Sequence, residues 1–289
     1  MMIGCHSLVW NGSLDPVSFA ESARMTSEAG FDLLEIPLMD PWSFEPTQAS
    51  RSLREHGLAA TASLGLTAQT DLSSEDPSVV ARGEETLNRC LEIVHDLEAD
   101  YLCGVIYSAM QKYSRPATEA GRRNSAEALQ RLAERAASLG IRLGLEVVNR
   151  YESNLLNTGR QALAFIEEIG HPNVYLHLDT YHMNIEEPDL LSPVLAAGKK
   201  LGYVHIGESH RGYLGSGSVD FGAFFRGLAL IGYDGPVVFE SFSSAVVDDN
   251  LSNTLGVWRN LWDDSANLGS HANSFIRGQL ASVSSIDKH

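Results

Sequence analysis

Cysteine, positive charge and long apolar runs are all scarce in this chain, and each scarcity narrows what it can be. Three cysteines, Cys5, Cys90 and Cys103, occur in 289 residues. An odd number without metal-like spacing argues against a disulfide scaffold or a zinc site and for a reduced, cytoplasmic protein. Lys and Arg total 21 against 37 Asp and Glu, a formal charge of −16. That balance opposes binding to nucleic acid or to an anionic membrane through the bulk field. No stretch approaches the roughly 18 consecutive apolar residues of a membrane span. The opening MMIGCHSLVW lacks the basic and long apolar regions of a signal peptide. Low-complexity segments and linker-like stretches are missing too, as is a G-x-G-x-x-G phosphate loop after the first strand.

What is present is alternation. With 44% hydrophobic residues the chain has the composition of a globular protein with a sizeable core. Short apolar runs read as strands: IGCHSLVW, FDLLEIPL, LAATASLGL, YLCGVIY, RLGLEVV, VYLHLD, GYVHIGE and PVVFES. Between them lie segments with helical spacing, several ended by a glycine such as Gly30, Gly57, Gly140 or Gly232. One such helix is expected near Glu187–Leu201, interrupted by Pro193, and a final helical region over much of Asp248–Ser282. Strands alternating with helices imply a parallel sheet. Eight units in this length favour a single (β/α)8 barrel domain over residues 1–289, with a C-terminal helical extension. An open doubly wound sheet is the alternative, without its usual phosphate loop.

The stretch EVVNRYE, Glu146–Glu152, ends an apolar strand in charge, which is where barrel enzymes place active sites. Three later strands end alike: Asp179 in HLDTYHMN, His205 in YVHIGESHRG and Glu240 in VVFESF. In a closed barrel these ends share one rim, so three carboxylates and an imidazole converge. Like charges held that close repel unless a cation compensates. Oxygen-rich ligation with one nitrogen suits Mn²⁺, Mg²⁺ or Co²⁺. A 2+ ion leaves about −1 on the cluster, which Arg211 is placed to balance. An isolated strand histidine is ordinarily a hydrogen-bonded core residue, and that is the expectation for His177. Glu208 is an alternative ligand, with a supporting or solvated position expected. Gly212–Gly222, GYLGSGSVDFG, reads as a flexible loop over the site. Met110, Tyr107, Trp258 and Trp262 read as core or subunit packing.

The set EVVNRYESNLLNT, HLDTYHMNIEE, HIGESHRG and VVFESF closely resembles the ketose 3-epimerases that act on D-tagatose, D-allulose or L-ribulose. The likeness runs from IGCHSLVW to GVWRNLW, and HSLVW with ESFSS looks most like the L-ribulose branch. It implies a xylose-isomerase-like (β/α)8 barrel, one divalent metal per subunit, usually Mn²⁺, and a homodimer or homotetramer. By the same resemblance Glu146, Asp179, His205 and Glu240 match the metal ligands, and Glu146 and Glu240 the two catalytic carboxylates. Glu152, His182 and Arg211 match residues that hold the ketose around O1, O2 and O3, and His6 meets its far end. Met110 stands where some relatives have Trp, and the strand-one loop differs from the aromatic-rich version of the D-tagatose branch.

The implied chemistry is coherent. The C3 proton of a ketose lies beside the C2 carbonyl, and a Lewis acid at O2 and O3 stabilises the enediolate left when it departs. Inversion needs removal from one face and return to the other, hence two carboxyl groups in opposite protonation states. The alternatives are an aldose–ketose isomerase with a similar metal, an endonuclease-IV-like phosphodiesterase, and a non-catalytic sugar-binding barrel. The phosphodiesterase would want more histidines and a basic groove. The binding barrel has no need of two opposed carboxylates.

Overall fold

Eight apolar segments form parallel strands that pair in chain order, and β8 closes onto β1 to complete a barrel. The computed structural model describes residues 1–284, so the last five residues of the expected 1–289 domain lie outside the described residues. The first half runs β1 (Ile3–His6), α1 (Pro16–Glu28), β2 (Leu33–Pro37), α2 (Pro46–His56), β3 (Ala59–Leu66), α3 (Pro77–Asp96), β4 (Tyr101–Ala109) and α4 (Glu119–Ser138). The second half runs β5 (Arg142–Glu146), α5 (Gly159–Ile169), β6 (Val174–Asp179), α6 (Thr180–Glu186), α7 (Ser192–Ala197), β7 (Leu201–Ile206), α8 (Phe221–Ile231), β8 (Val237–Phe239), α9 (Asp249–Leu255) and α10 (Ser265–Val283). This is the (β/α)8 barrel expected from the alternation.

Strand sequences such as LLEIP and VVF are buried at every position, as parallel strands covered on both faces must be. The helices begin and end on local chemistry. Asp15 caps α1 by accepting from Val17 and Ser18 N–H, and Thr158 and Gln161 form a reciprocal capping box on α5. Gly57 and Gly232, at φ +66° and +65°, close α2 and α8 in the left-handed conformation that favours glycine. α10 packs against α8 and β1, and its Gly269 lies so close to the Trp10 ring that a Cβ would stand 2.2 Å away. Among the described residues no helix is long and apolar enough to cross a membrane.

Apart from shifts of a residue or two at strand ends, three stretches differ from expectation. The first strand stops at His6, whose Nδ1 accepts from Leu8 N–H and caps a 3-10 turn, Ser7–Val9. The helix expected over Glu187–Leu201 is replaced by the shorter α7, whose first turn holds Pro193, and Leu201 already belongs to β7. Before it lies α6, which no periodicity announced. It ends where Glu187 turns extended, at φ −93° and ψ 147°, the conformation imposed on a residue preceding proline. The C-terminal helical region is two helices, α9 and α10.

Candidate functional site

The C-terminal ends of β5 to β8 deliver four buried polar side chains to one point. Glu146 and Asp179 are the last residues of β5 and β6, His205 is next to last in β7, and Glu240 directly follows β8. One ligand-type atom from each lies within 4.8 Å of the others. His205 Nδ1 is 3.4 Å from Glu146 Oε1, 3.5 Å from Glu240 Oε1 and 4.0 Å from Asp179 Oδ2. That nitrogen is buried and has no hydrogen-bond partner. An orphaned imidazole nitrogen facing three buried carboxylates is a costly arrangement for a polar core. It is the donor set a divalent cation would satisfy, through three hard oxygens and one nitrogen.

The electrostatics show the same need. Burial pushes Glu146 up to about 8; contact with His205 offsets part of this, while Glu240 and Asp179 add to it. Burial likewise raises Asp179 to about 6 against the pull of Arg211. Glu240 goes the other way. Burial would raise it, but Arg211, His205 and His6 outweigh that and bring it to about 2. The two glutamates are therefore driven apart, one toward the acid and one toward the carboxylate.

Around the cluster sit the other residues singled out by sequence. Asp179 Oδ1 caps α6 by accepting from Tyr181 N–H at 2.6 Å, while Oδ2 faces Arg211 Nη1 at 3.2 Å. α6 thereby places His182, whose Nδ1 accepts from Asn149 N–H at 3.1 Å. The neutral ring then carries its proton on Nε2, which lies 3.7 Å from Asp179, 3.9 Å from Glu146 and 4.0 Å from Glu152. Asn149 Nδ2 donates to Glu152 Oε1 at 2.8 Å, and burial pushes Glu152 up to about 7. Arg211 pairs with Glu240 as well as Asp179, and its guanidinium lies 3.9 Å from the Tyr181 ring centroid and 5.0 Å from that of Phe242. Its backbone sits at φ +61°, a strained position of the kind that clusters at functional sites.

All eight residues except Asp179 line one cavity, which opens above the cluster; Asp179 lies in the cluster beneath. Its remaining wall is largely apolar and includes Leu8, Met110, Phe242 and Leu255.

Some positions differ from expectation. His177 is a core residue, but its two ring nitrogens have no hydrogen-bond partner, and it packs edge-on against His205 at 4.2 Å between centroids. Glu208 is neither ligand nor solvated. It is fully buried and accepts from the backbone N–H groups of Ser209, Gly215 and Val219. The Gly212–Gly222 loop is thus tied down by a carboxylate at its root. Trp262 is buried and donates to Ser241 Oγ, whereas Trp258 is 78% exposed. Tyr107 is core and donates to the Glu146 carbonyl at 2.8 Å. Two further residues belong to the site. Asn149, within EVVNRYE, donates to both His182 and Glu152. Glu35, inside LLEIP, is fully buried with Oε2 2.8 Å from His205 Nε2. Its signal was a lone charge within an otherwise apolar strand, since buried charges are paired.

Comparisons with known proteins agree with this geometry. A family model described as xylose isomerase-like TIM barrel matches residues 23–261. The chain is 61% identical, over 100% of both chains, to a ketose 3-epimerase of Arthrobacter globiformis. It is 53% identical to an L-ribulose 3-epimerase of Methylomonas sp., over 95% of this chain and 96% of the other. Among solved structures, the D-allulose 3-epimerase from Methylomonas sp. in complex with D-allulose matches with a TM-score of 0.95 at 52% identity, covering 96% of this chain and 97% of that one.

Proposed function

The chain belongs to the ketose 3-epimerase family of xylose isomerase-like TIM barrels, and on that premise we propose that it inverts C3 of free ketoses of the L-ribulose and D-allulose type. The observation that carries this reading is the buried cluster of Glu146, Asp179, His205 and Glu240, whose two glutamates both line the cavity. The four are assigned as ligands of one divalent ion, Mn²⁺ first, with Mg²⁺ or Co²⁺ as alternatives. When bound, that ion supplies positive charge for the oxyanion developing at C2.

The protein groups do the rest. Glu240, kept as the carboxylate, removes the C3 proton from one face of the ketose. Glu146, a carboxylate when it holds the ion, must carry a proton at the moment of transfer, and it returns that proton to the other face, so that C3 is inverted. For the reverse epimer the two exchange roles. Arg211 and the Nε2–H of His182 donate to O1 and O2, and Glu152 joins them in fixing the pose around O1 to O3. His6 stands at the far end of the sugar, where the wall is mostly apolar. The same proposal includes a single barrel domain over residues 1–289 with the helices after β8 as its extension, a homodimer or homotetramer, and a cytoplasmic location without nucleic-acid or membrane partners.

The test is NMR of metal-reconstituted protein in deuterated water with L-ribulose, D-allulose and D-tagatose in separate tubes. Metal-dependent formation of the C3 epimer with deuterium at C3 is expected. Deuterium at C1 with an aldose product would make the protein an aldose–ketose isomerase, and no exchange in any ketose would overturn the reading.

A further inference from the structure

We propose that Glu35 is a positioning residue that aims His205 at the metal and joins it to His6 through a single buried carboxylate. The inference rests on the divalent-ion site just proposed, and its test reads metal affinity as well as turnover.

Glu35 sits in β2, in register with His6 of β1 and Thr61 of β3, and is fully buried. Its Oε2 lies 2.7 Å from Tyr203 Oη and 2.8 Å from His205 Nε2. Tyr203 Oη is also 2.6 Å from Thr61 Oγ1. The direction of every bond in this chain follows from the chemistry of the groups. An ionised carboxylate only accepts, so Tyr203 gives its one proton to Glu35. Thr61 must then donate to Tyr203. His205 donates through Nε2–H, and whenever its ring is neutral Nδ1 is left as a bare lone pair. That lone pair is the orphan aimed at Glu146, Glu240 and Asp179.

The second oxygen of Glu35 has a related duty. Oε1 makes no hydrogen bond, but His6 Nε2 stands 3.6 Å away. His6 Nδ1 is already used as the acceptor for Leu8 N–H, so the proton of a neutral His6 ring faces Glu35. One carboxylate therefore orders an imidazole of the proposed metal cluster and an imidazole of the cavity wall. A fully buried carboxylate in a strand core is a costly residue to keep for packing alone. A carboxylate on the far nitrogen of a metal-binding histidine fixes ring orientation and raises ligand basicity, and its loss weakens metal binding or activity by about 10- to 100-fold.

The test measures Mn²⁺ affinity by electron paramagnetic resonance of free Mn²⁺, alongside thermal unfolding of the metal-free protein. Glu35→Gln and Glu35→Asp are compared with wild type. The first keeps the size and removes the charge; the second keeps the charge and withdraws it by one methylene. Both are expected to bind Mn²⁺ about 10- to 100-fold more weakly, with turnover largely restored at saturating Mn²⁺. A purely structural role would lower the unfolding temperature and leave the affinity of the folded protein unchanged, which would overturn the inference. Turnover still lost at saturating Mn²⁺ would also overturn it, by making Glu35 part of the chemistry. If Glu35→Gln does not fold, Glu35→Asp decides alone. No binding of Mn²⁺, Mg²⁺ or Co²⁺ by wild type would defeat the metal reading and this inference together, whereas wild-type binding with unaffected variants defeats this inference only.

Discussion

At the scale of single residues, the site is governed by how far burial can push a carboxyl group. Glu146 is held up to about 8, first by burial and then by the neighbouring acids. Its unfolded value is near 4.5, so between those limits the folded metal-free protein binds a proton that the unfolded chain has released. The stabilising contribution of that proton is therefore lost as pH rises toward 8. A metal ligand must be deprotonated. Binding of Mn²⁺ below pH 8 is thus expected to release a proton from Glu146, and apparent affinity should climb with pH until about 8. Calorimetric titration in buffers of different ionisation enthalpy measures that release directly. Glu146→Gln should lack this component and lose turnover; proton release unchanged in the variant would assign the proton elsewhere. The ligand candidates were legible because each is an acid or histidine where an apolar run stops. Glu35 was harder to see. It lies in mid-strand, where its partners Tyr203 and His205 are 168 and 170 residues away, and only closure of the barrel brings them together.

At the scale of elements, apolar runs and terminal glycines predicted strand and helix order well, because burial on both faces and helix closure leave local marks. Elements fixed by long-range contacts left none. α6 is seven residues long and is held by the Asp179 cap at one end and Pro188 beyond the other, so it has no helical stripe to detect. The Gly212–Gly222 segment reads as flexible from its glycines and serines, yet Glu208 gathers three of the nearby N–H groups. The same turn carries Arg211, whose N–H donates to the Glu208 carbonyl. Glu208→Gln would set an amide N–H₂ against at least one backbone N–H. A loss of about 2 kcal/mol is expected from one unsatisfied buried group beside weakened charge-assisted bonds. Because the loop orients Arg211 and no candidate metal ligand, KM should rise while Mn²⁺ affinity stays near wild type. Unaltered KM would show that Arg211 is held by its pairs with Asp179 and Glu240 alone.

For the whole molecule, the decisive fact is where the candidate ligands come from. β5, β6, β7 and β8 are consecutive, so an ion bound by their ends ties together half the wall of the barrel and, through β8 and its pairing with β1, the closure of the ring. Without the ion, that rim holds three buried carboxylates whose mutual repulsion Arg211 and His205 offset most directly. The ion should therefore stabilise the entire fold rather than one loop. A ligand that binds only the native state, at a hundred times its Kd, adds about 2.7 kcal/mol. In a chain of this size that corresponds to an unfolding temperature higher by on the order of 5 °C. Stripping the protein with a chelator and then adding back Mn²⁺ should move a single cooperative transition down and up by that amount. Two separate transitions, with only the smaller one responding to Mn²⁺, would mean that the rim opens independently of the barrel and that the ion orders a local site. No response to Mn²⁺, Mg²⁺ or Co²⁺ at any concentration would remove the metal from the native protein altogether, and leave the orphaned Nδ1 of His205 to be satisfied by protonation instead.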